Sequence, residues 1–203
     1  MMSRQAWNQG KAVGQKRPLT VEQIKTIRSL LKSKGNLRDL ALFSTAIDTM
    51  LRSVDLLKIT VSDILDMNGA VVEEFAIQQQ KTKEPVRMFL SPYTREIISK
   101  WIIASNKTSN DFIFTGLRRS KDKAITREAY RLLVKQWMSS ANLDPTLYST
   151  HSMRRTKASL IYKQTGNVDA VRLLLGQNSV TATSHYLGLD KADALEYAKK
   201  VII

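Results

Sequence analysis

The stretch from His151 to Asp190 gathers the side chains best suited to chemistry in this chain. It holds both histidines, His151 and His185, a stripe of cations opening with Arg154, Arg155 and Lys157, and a late tyrosine, Tyr186. His151 and Arg154 are three apart, so a helix beginning here sets an imidazole and a guanidinium on one face. A guanidinium is a planar fork that suits two phosphate oxygens and stays charged at any working pH. An imidazole beside it can donate a hydrogen bond or move a proton near neutrality. A second arginine, Arg52, lies between Leu51 and Val54 with Asp55 three residues on. At that spacing an exposed ion pair would be worth little. The apolar neighbours argue instead for an arginine that the fold holds in place.

These groups need helices to carry them. Ala158, Leu160 and Ile161 continue the segment after Arg154, and Gly166 offers a left-handed stop. A second apolar run, Val168 to Leu175, ends at Gly176. Earlier, Thr20 and Gln23 read as a capping box opening a helix with Ile24, Ile27, Leu30 and Leu31 inward. A second helix is predicted from about Asn36 to Leu51, and Ser53 is expected to cap a short third from Val54 to Lys58. Between Ala70 and Leu90 the period changes. Val71, Val72, Phe75 and Ile77, then Val86, Met88 and Leu90, predict two antiparallel strands joined by a polar connection, Gln80 to Pro85. Ser91-Pro92 opens a helix through Trp101 to Ala104. Phe112 to Phe114 is a short buried segment, and Gly116 to Lys123 is a basic loop carrying Arg118 and Arg119. Thr126 opens a helix reaching about Asn142. The predicted class is mainly α with one small antiparallel sheet.

The chain has 203 residues, enough for one domain with a sizeable core. Lysine and arginine number 32 against 18 acids, a net charge of +14 that points to a polyanionic partner. There is no cysteine, so neither disulfides nor thiolate metal sites are available. With two histidines a zinc site is not expected either, and no metal or other cofactor is implied. No apolar run reaches the length of a membrane span and no signal peptide opens the chain, so the expected compartment is the cytoplasm. Residues 1–18 are basic and read either as an arm along DNA or as a plain disordered terminus.

The pattern His-x-x-Arg at 151–154, followed by Leu-Leu-Leu-Gly-x-x-Ser-x-x-x-Thr-x-x-Tyr at 173–186, resembles the catalytic domain of the tyrosine recombinases, the phage-type integrases. The resemblance spans roughly Pro18 to the end. It implies a helical catalytic domain over residues 19–189, with a tail over 190–203 that docks on a neighbouring subunit or on its own core. Family members often carry a separate amino-terminal clamp on DNA. At this length a compact single-domain form is expected. The resemblance also implies site-specific cutting and rejoining of double-stranded DNA through a 3′-phosphotyrosyl intermediate, by a homo-oligomer that is a tetramer on two DNA sites.

By that resemblance Tyr186 is the nucleophile, and Arg52 and Arg154 clamp the phosphate. Asp55 orients a neighbouring guanidinium or imidazole, and His151 holds the phosphate or moves a proton. Lys81 is the general acid for the leaving oxygen, with Lys83 a rival in the same turn. Arg155, Lys157, Arg118, Arg119 and Lys83 are expected to contact DNA. One departure stands out. The family usually has histidine after the Leu-Gly pair, and here the residue is Gln177, which can donate a hydrogen bond but carries no charge. A different reading follows from that departure: a DNA-binding regulator, weak or inactive in cleavage, on a recombinase scaffold. A relaxing topoisomerase of related chemistry is a third.

Overall fold

One helix is buried at every residue from Arg38 to Thr49. This is α2 (Leu37–Thr49), and apolar side chains surround it on all sides: Leu40, Leu42, Phe43, Ala46 and Ile47. Its polar residues are all provided for locally. The hydroxyls of Thr45 and Thr49 each donate to the carbonyl four residues back at 2.8 Å. The Asp39 carboxylate accepts from its neighbour Arg38 and from the Trp137 indole N–H at 3.0 Å. Such pairing is what allows charge inside a core.

The computed structural model describes residues 15–116 and 123–187. Around α2 pack α1 (Val21–Ser33), α4 (Pro92–Ala104) and α6 (Thr150–Thr165). Both halves of the Thr20–Gln23 capping box form, and Ile24, Ile27 and Leu31 are the buried stripe of α1. Ser91 caps α4, with Pro92 in its first turn. Thr126 caps α5 (Arg127–Ser140), which buries Tyr130, Val134, Trp137 and Met138. Gly166 and Gly176 end α6 and α7 (Val168–Leu175) in the left-handed conformation, and α8 (Val180–Leu187) follows. The sheet is a single hairpin, β1 (Glu74–Gln78) antiparallel to β2 (Pro85–Phe89), with Phe75 opposite Met88. The mainly α class with one small sheet is therefore observed.

Two boundaries differ from the sequence reading. The short helix α3 (Ser53–Leu56) begins at Ser53 itself, and Arg52 occupies the capping position without a side-chain cap. The arginine side chain is thereby left to bond elsewhere. The first strand starts at Glu74 rather than near Val71, which forms an isolated bridge with Leu65. Of the basic amino-terminal segment, residues 15–18 are described, and they run against the body of the protein. Arg17 N–H donates to Leu147 O at 3.0 Å, and Leu19 N–H to Thr156 Oγ1 at 2.9 Å. Residues 1–14, the loop with Arg118 and Arg119, and the tail over 190–203 lie outside the described residues. Among those described, no helix is long and apolar enough to cross a membrane.

A small second core forms where the carboxyl-terminal helices meet α6. It comprises Met50, Ala158, Val171 and Leu175, with Tyr186 and Leu187 packed against it. Gly176 is the joint of this region. Its φ is +59°, and a Cβ there would lie 2.6 Å from Val86 Cγ2 and 2.9 Å from Gln79 Nε2. Gly176→Ala is thus expected to cost about 1–3 kcal/mol from backbone strain and overpacking. Melting should fall by roughly 2–4 °C for each kcal/mol. An unchanged Tm would show that this turn can move away from β2 without penalty.

Candidate active site

Arg154 is on the first turns of α6, whose entry is fixed by a reciprocal Ser149–Ser152 capping box. Its side chain is almost wholly buried. One guanidinium nitrogen donates to Met50 O at 2.6 Å, and the other to Leu175 O at 2.7 Å. Met50 is the left-handed C-cap of α2, with φ of +52°, and Leu175 is the last residue of α7. Helix ends expose carbonyls with no partner of their own, and they carry the negative end of the helix dipole. A buried cation between two such ends satisfies both.

From Leu175 O the network continues outward. Gln79, fully buried, donates to the same carbonyl at 3.2 Å through Nε2. Its Oε1 accepts from Arg52 in a short hydrogen bond. Asp55 is buried as well, and its Oδ1 accepts from Gln80 N–H at 2.9 Å. That bond fixes the turn of the β1–β2 hairpin, where Lys81 lies exposed. The carboxylate expected to orient a guanidinium or imidazole is instead bonded to the lysine-bearing turn, and its other oxygen has no partner among the described residues. Lys83, at φ of +60°, closes that turn through its backbone N–H to Gln79 O.

A cavity of about 180 Å³ opens beside these groups, lined by Leu51, Arg52, Ser53, Val54, Arg127, Thr150, His151 and Arg154. His151 and Arg154 share it, as the spacing of three predicts. Burial, and then the charges of Arg154, Arg52 and Arg155, hold the His151 imidazole below its ordinary pKa. It is accordingly neutral at pH 7. Burial also lowers the Arg154 pKa to about 10, opposed by Tyr186 and Asp55, and the guanidinium remains a cation at neutral pH.

Tyr186, on α8, comes into the same region. Its ring lies under the Arg155 guanidinium at 5.5 Å. The phenol oxygen is buried and has no well-aligned hydrogen-bond partner. Burial pushes its pKa up to about 12, against the pull of Arg154, Arg155 and Arg52. One turn earlier, the Thr183 hydroxyl hydrogen is shared between Gln177 Oε1 at 2.7 Å and Ser179 O at 2.9 Å. The Gln177 amide nitrogen has no partner among the described residues. Arg172 donates to the Gln177 carbonyl at 3.0 Å and steadies its backbone.

Two residues expected to face DNA are engaged within the protein. Arg155 is buried and donates to Lys16 O at 2.7 Å. Lys157 donates to Asp48 O at 3.1 Å and lies over the Phe89 ring at 4.8 Å. Two others went unremarked in the sequence. Gln79 has no signal there, being one of three consecutive glutamines. Arg127 had one: an arginine just inside a Thr126 cap, beside a basic loop. The described residues include no cluster of three or more acids and histidines that could hold a metal ion.

Known proteins can be set beside this geometry. The profile of the phage integrase family matches residues 17–193. The probable integrase/recombinase YoeC of Bacillus subtilis (strain 168) is 26% identical over 183 residues, 90% of this chain and 93% of that protein. The tyrosine recombinase XerC of Caldanaerobacter subterraneus subsp. tengcongensis is 27% identical over 184 residues. There the match covers 90% of this chain and only 50% of that protein. Among solved structures, XerA recombinase superposes with a TM-score of 0.74 at 18% identity, over 92% of this chain and 65% of that one. XerH bound to a palindromic difH substrate, after cleavage, superposes with a TM-score of 0.72 at 21% identity. That match covers 94% of this chain and 55% of XerH, so this chain spans little more than half of the solved recombinase.

The electrostatics of the cavity can be read directly. In an NMR titration His151 is expected to titrate below an unstructured histidine. Arg52→Gln, which removes a facing cation, should raise that midpoint. A midpoint that falls in the variant would contradict this arrangement of charges.

Proposed function

Because this chain belongs to the phage integrase family, we propose that it is a site-specific DNA recombinase in which Tyr186 attacks a backbone phosphorus of double-stranded DNA. The attack forms a bond from Tyr186 Oη to phosphorus and breaks the bond to the 5′-oxygen. The products are a 3′-phosphotyrosyl adduct and a free 5′-hydroxyl. Exchange follows when the 5′-hydroxyl of another strand reverses the step. A phenolate leaves more readily than an alkoxide, so the bond energy is kept and no cofactor is required.

One observation carries this reading. The Tyr186 ring lies against the Arg155 guanidinium, its phenol feels the charges of Arg154 and Arg52, and these two line the cavity that His151 enters. A scissile phosphate there brings the negative charge that the guanidiniums of Arg52 and Arg154 lack. Their remaining N–H groups oppose the charge that grows on its oxygens in the transition state. The free Gln177 amide adds a neutral donor. At a pKa near 12 the phenol keeps its proton at neutral pH, so that proton must leave as the bond forms. The neutral imidazole of His151 is suited to take it, and the ammonium of Lys81, on its mobile stem, to protonate the departing oxygen. Arg127 is placed to hold the strand next to the scissile phosphate. Arg118, Arg119, Lys157 and Lys83 remain candidates for DNA contacts outside the cavity.

DNA in the structures of similar recombinases supports duplex DNA as the partner. Pairing of two sites by a tetramer, with residues 190–203 passing to a neighbour, is the arrangement proposed here for exchange. A regulator that only binds DNA has no need of a phenol within a buried cluster of cations, so the enzymatic reading is favoured.

The test is covalent capture on a pool of random nicked duplexes, from which a cleaved strand cannot be rejoined. The parent is expected to form an adduct stable to denaturation, and Tyr186→Phe none. An adduct that survives in Tyr186→Phe would overturn the assignment. Gln177→His is expected to raise the cleavage rate by less than the order of 10² that outright loss of a transition-state donor costs. A rate equal to or below the parent's would show that charge at this position is not limiting.

A further inference from the structure

Arg155 follows Arg154 directly, yet its surroundings are different. Its guanidinium is buried, donates to Lys16 O at 2.7 Å, and covers the Tyr186 ring at 5.5 Å. Its Nε has no partner. The amino-terminal strap that supplies Lys16 O is fixed on either side. Lys16 Nζ donates to Thr146 O at 2.7 Å, Arg17 N–H to Leu147 O at 3.0 Å, and Leu19 N–H to Thr156 Oγ1 at 2.9 Å. The face of an aromatic ring attracts a cation, so a guanidinium held over one side of the ring favours one tilt over others. With Nη1 committed to Lys16 O and the guanidinium over the ring, this side chain is held against Tyr186.

We infer that Arg155 is a positioning residue for Tyr186: held by the strap over residues 15–19, it sets the angle at which the phenol faces the phosphate site. The inference rests on Tyr186 being the nucleophile. It departs from the expectation that Arg155 contacts the DNA backbone, and the two roles leave different traces. A phosphate contact contributes about −0.9 to the slope of log affinity against log salt. A positioning residue leaves that slope alone and changes the rate of the chemical step, since small misplacements of reacting groups are costly.

The experiment has two arms on the full chain. In the first, the protein carries fluorotyrosine and the Tyr186 line is identified by its loss in Tyr186→Phe. Without DNA, Arg155→Ala is expected to shift and broaden that line, and Arg155→Lys to shift it less. A line unchanged in both variants overturns the inference whether or not the protein cleaves DNA. In the second arm, Arg155→Ala and Arg155→Lys should bind DNA with the parent's salt slope. Their adduct formation should fall on the order of 10- to 100-fold, with lysine the milder change. A salt slope reduced by about one, with unchanged single-turnover cleavage once bound, makes Arg155 a phosphate contact and overturns the inference. So does loss of DNA binding in both variants. A parent that forms no adduct at all sinks the recombinase reading, and the fluorine line still decides the placement of the ring.

Discussion

The guanidinium of Arg154 hangs between two carbonyls, Met50 O and Leu175 O, each at the end of a helix. The rest of the site depends on that suspension. It joins the end of α2, the start of α6 and the end of α7 at one cation, so three segments far apart in sequence share a single origin. Gln79 bonds the same Leu175 carbonyl and passes the constraint to Arg52. Shortening this one side chain would strand the buried Met50 carbonyl and leave Leu175 O to Gln79 alone, and an unsatisfied buried acceptor costs more than a hydrogen bond returns. The same contacts explain Gly176. The turn after Leu175 must run so close to Gln79 and Val86 that no Cβ fits.

Around this anchor the balance of charge is deliberately incomplete. Arg154 feels the charge of the buried Asp55 carboxylate but forms no ion pair with it, and one oxygen of that carboxylate is committed to Gln80 N–H. The unpartnered buried atoms near it include Asp55 Oδ2, Arg155 Nε and Tyr186 Oη. Folded proteins leave few such atoms, and each asks for a reason. A bound phosphate is one that serves Arg52 and Arg154 together: it supplies a negative charge and several acceptor oxygens. The cost shows in the depressed pKa values of Arg154 and His151 and the raised one of Tyr186. Sites that do chemistry commonly give up stability in this way.

What could be read in the sequence follows from the range of each interaction. Helix ends are local. Thr20 with Gln23, Ser91 with Pro92, Thr126, Gly166 and Gly176 all marked real boundaries, because cap and breaker lie within a turn of what they end. The pairing of His151 with Arg154 was legible for the same reason. The strand start was not, because Val71 is apolar to pack against the core while its backbone pairs only with Leu65. Arg52 could be suspected from its apolar neighbours, but its partner lies 27 residues away, and a neutral glutamine carries no periodic mark. Arg155 shows the limit most plainly. By composition it is one more cation in a basic stripe, and only a carbonyl 139 residues earlier in the chain turns it inward.

Gln177 brings these points together. If the amide were only a remnant, nothing would hold it. Instead its oxygen meets Thr183 at 2.7 Å and its carbonyl accepts from Arg172. Thr183 is one turn before Tyr186 and faces the same way, so the amide and the phenol are borne on one rigid piece of chain. An imidazole at this place could donate a hydrogen bond and also carry charge. The amide retains the first property and lacks the second. Burial, and then the charge of the guanidiniums already present, depresses His151, and another cation there would itself be partly disfavoured. A neutral donor tied to the helix that carries Tyr186 suits a pocket whose charge is supplied elsewhere.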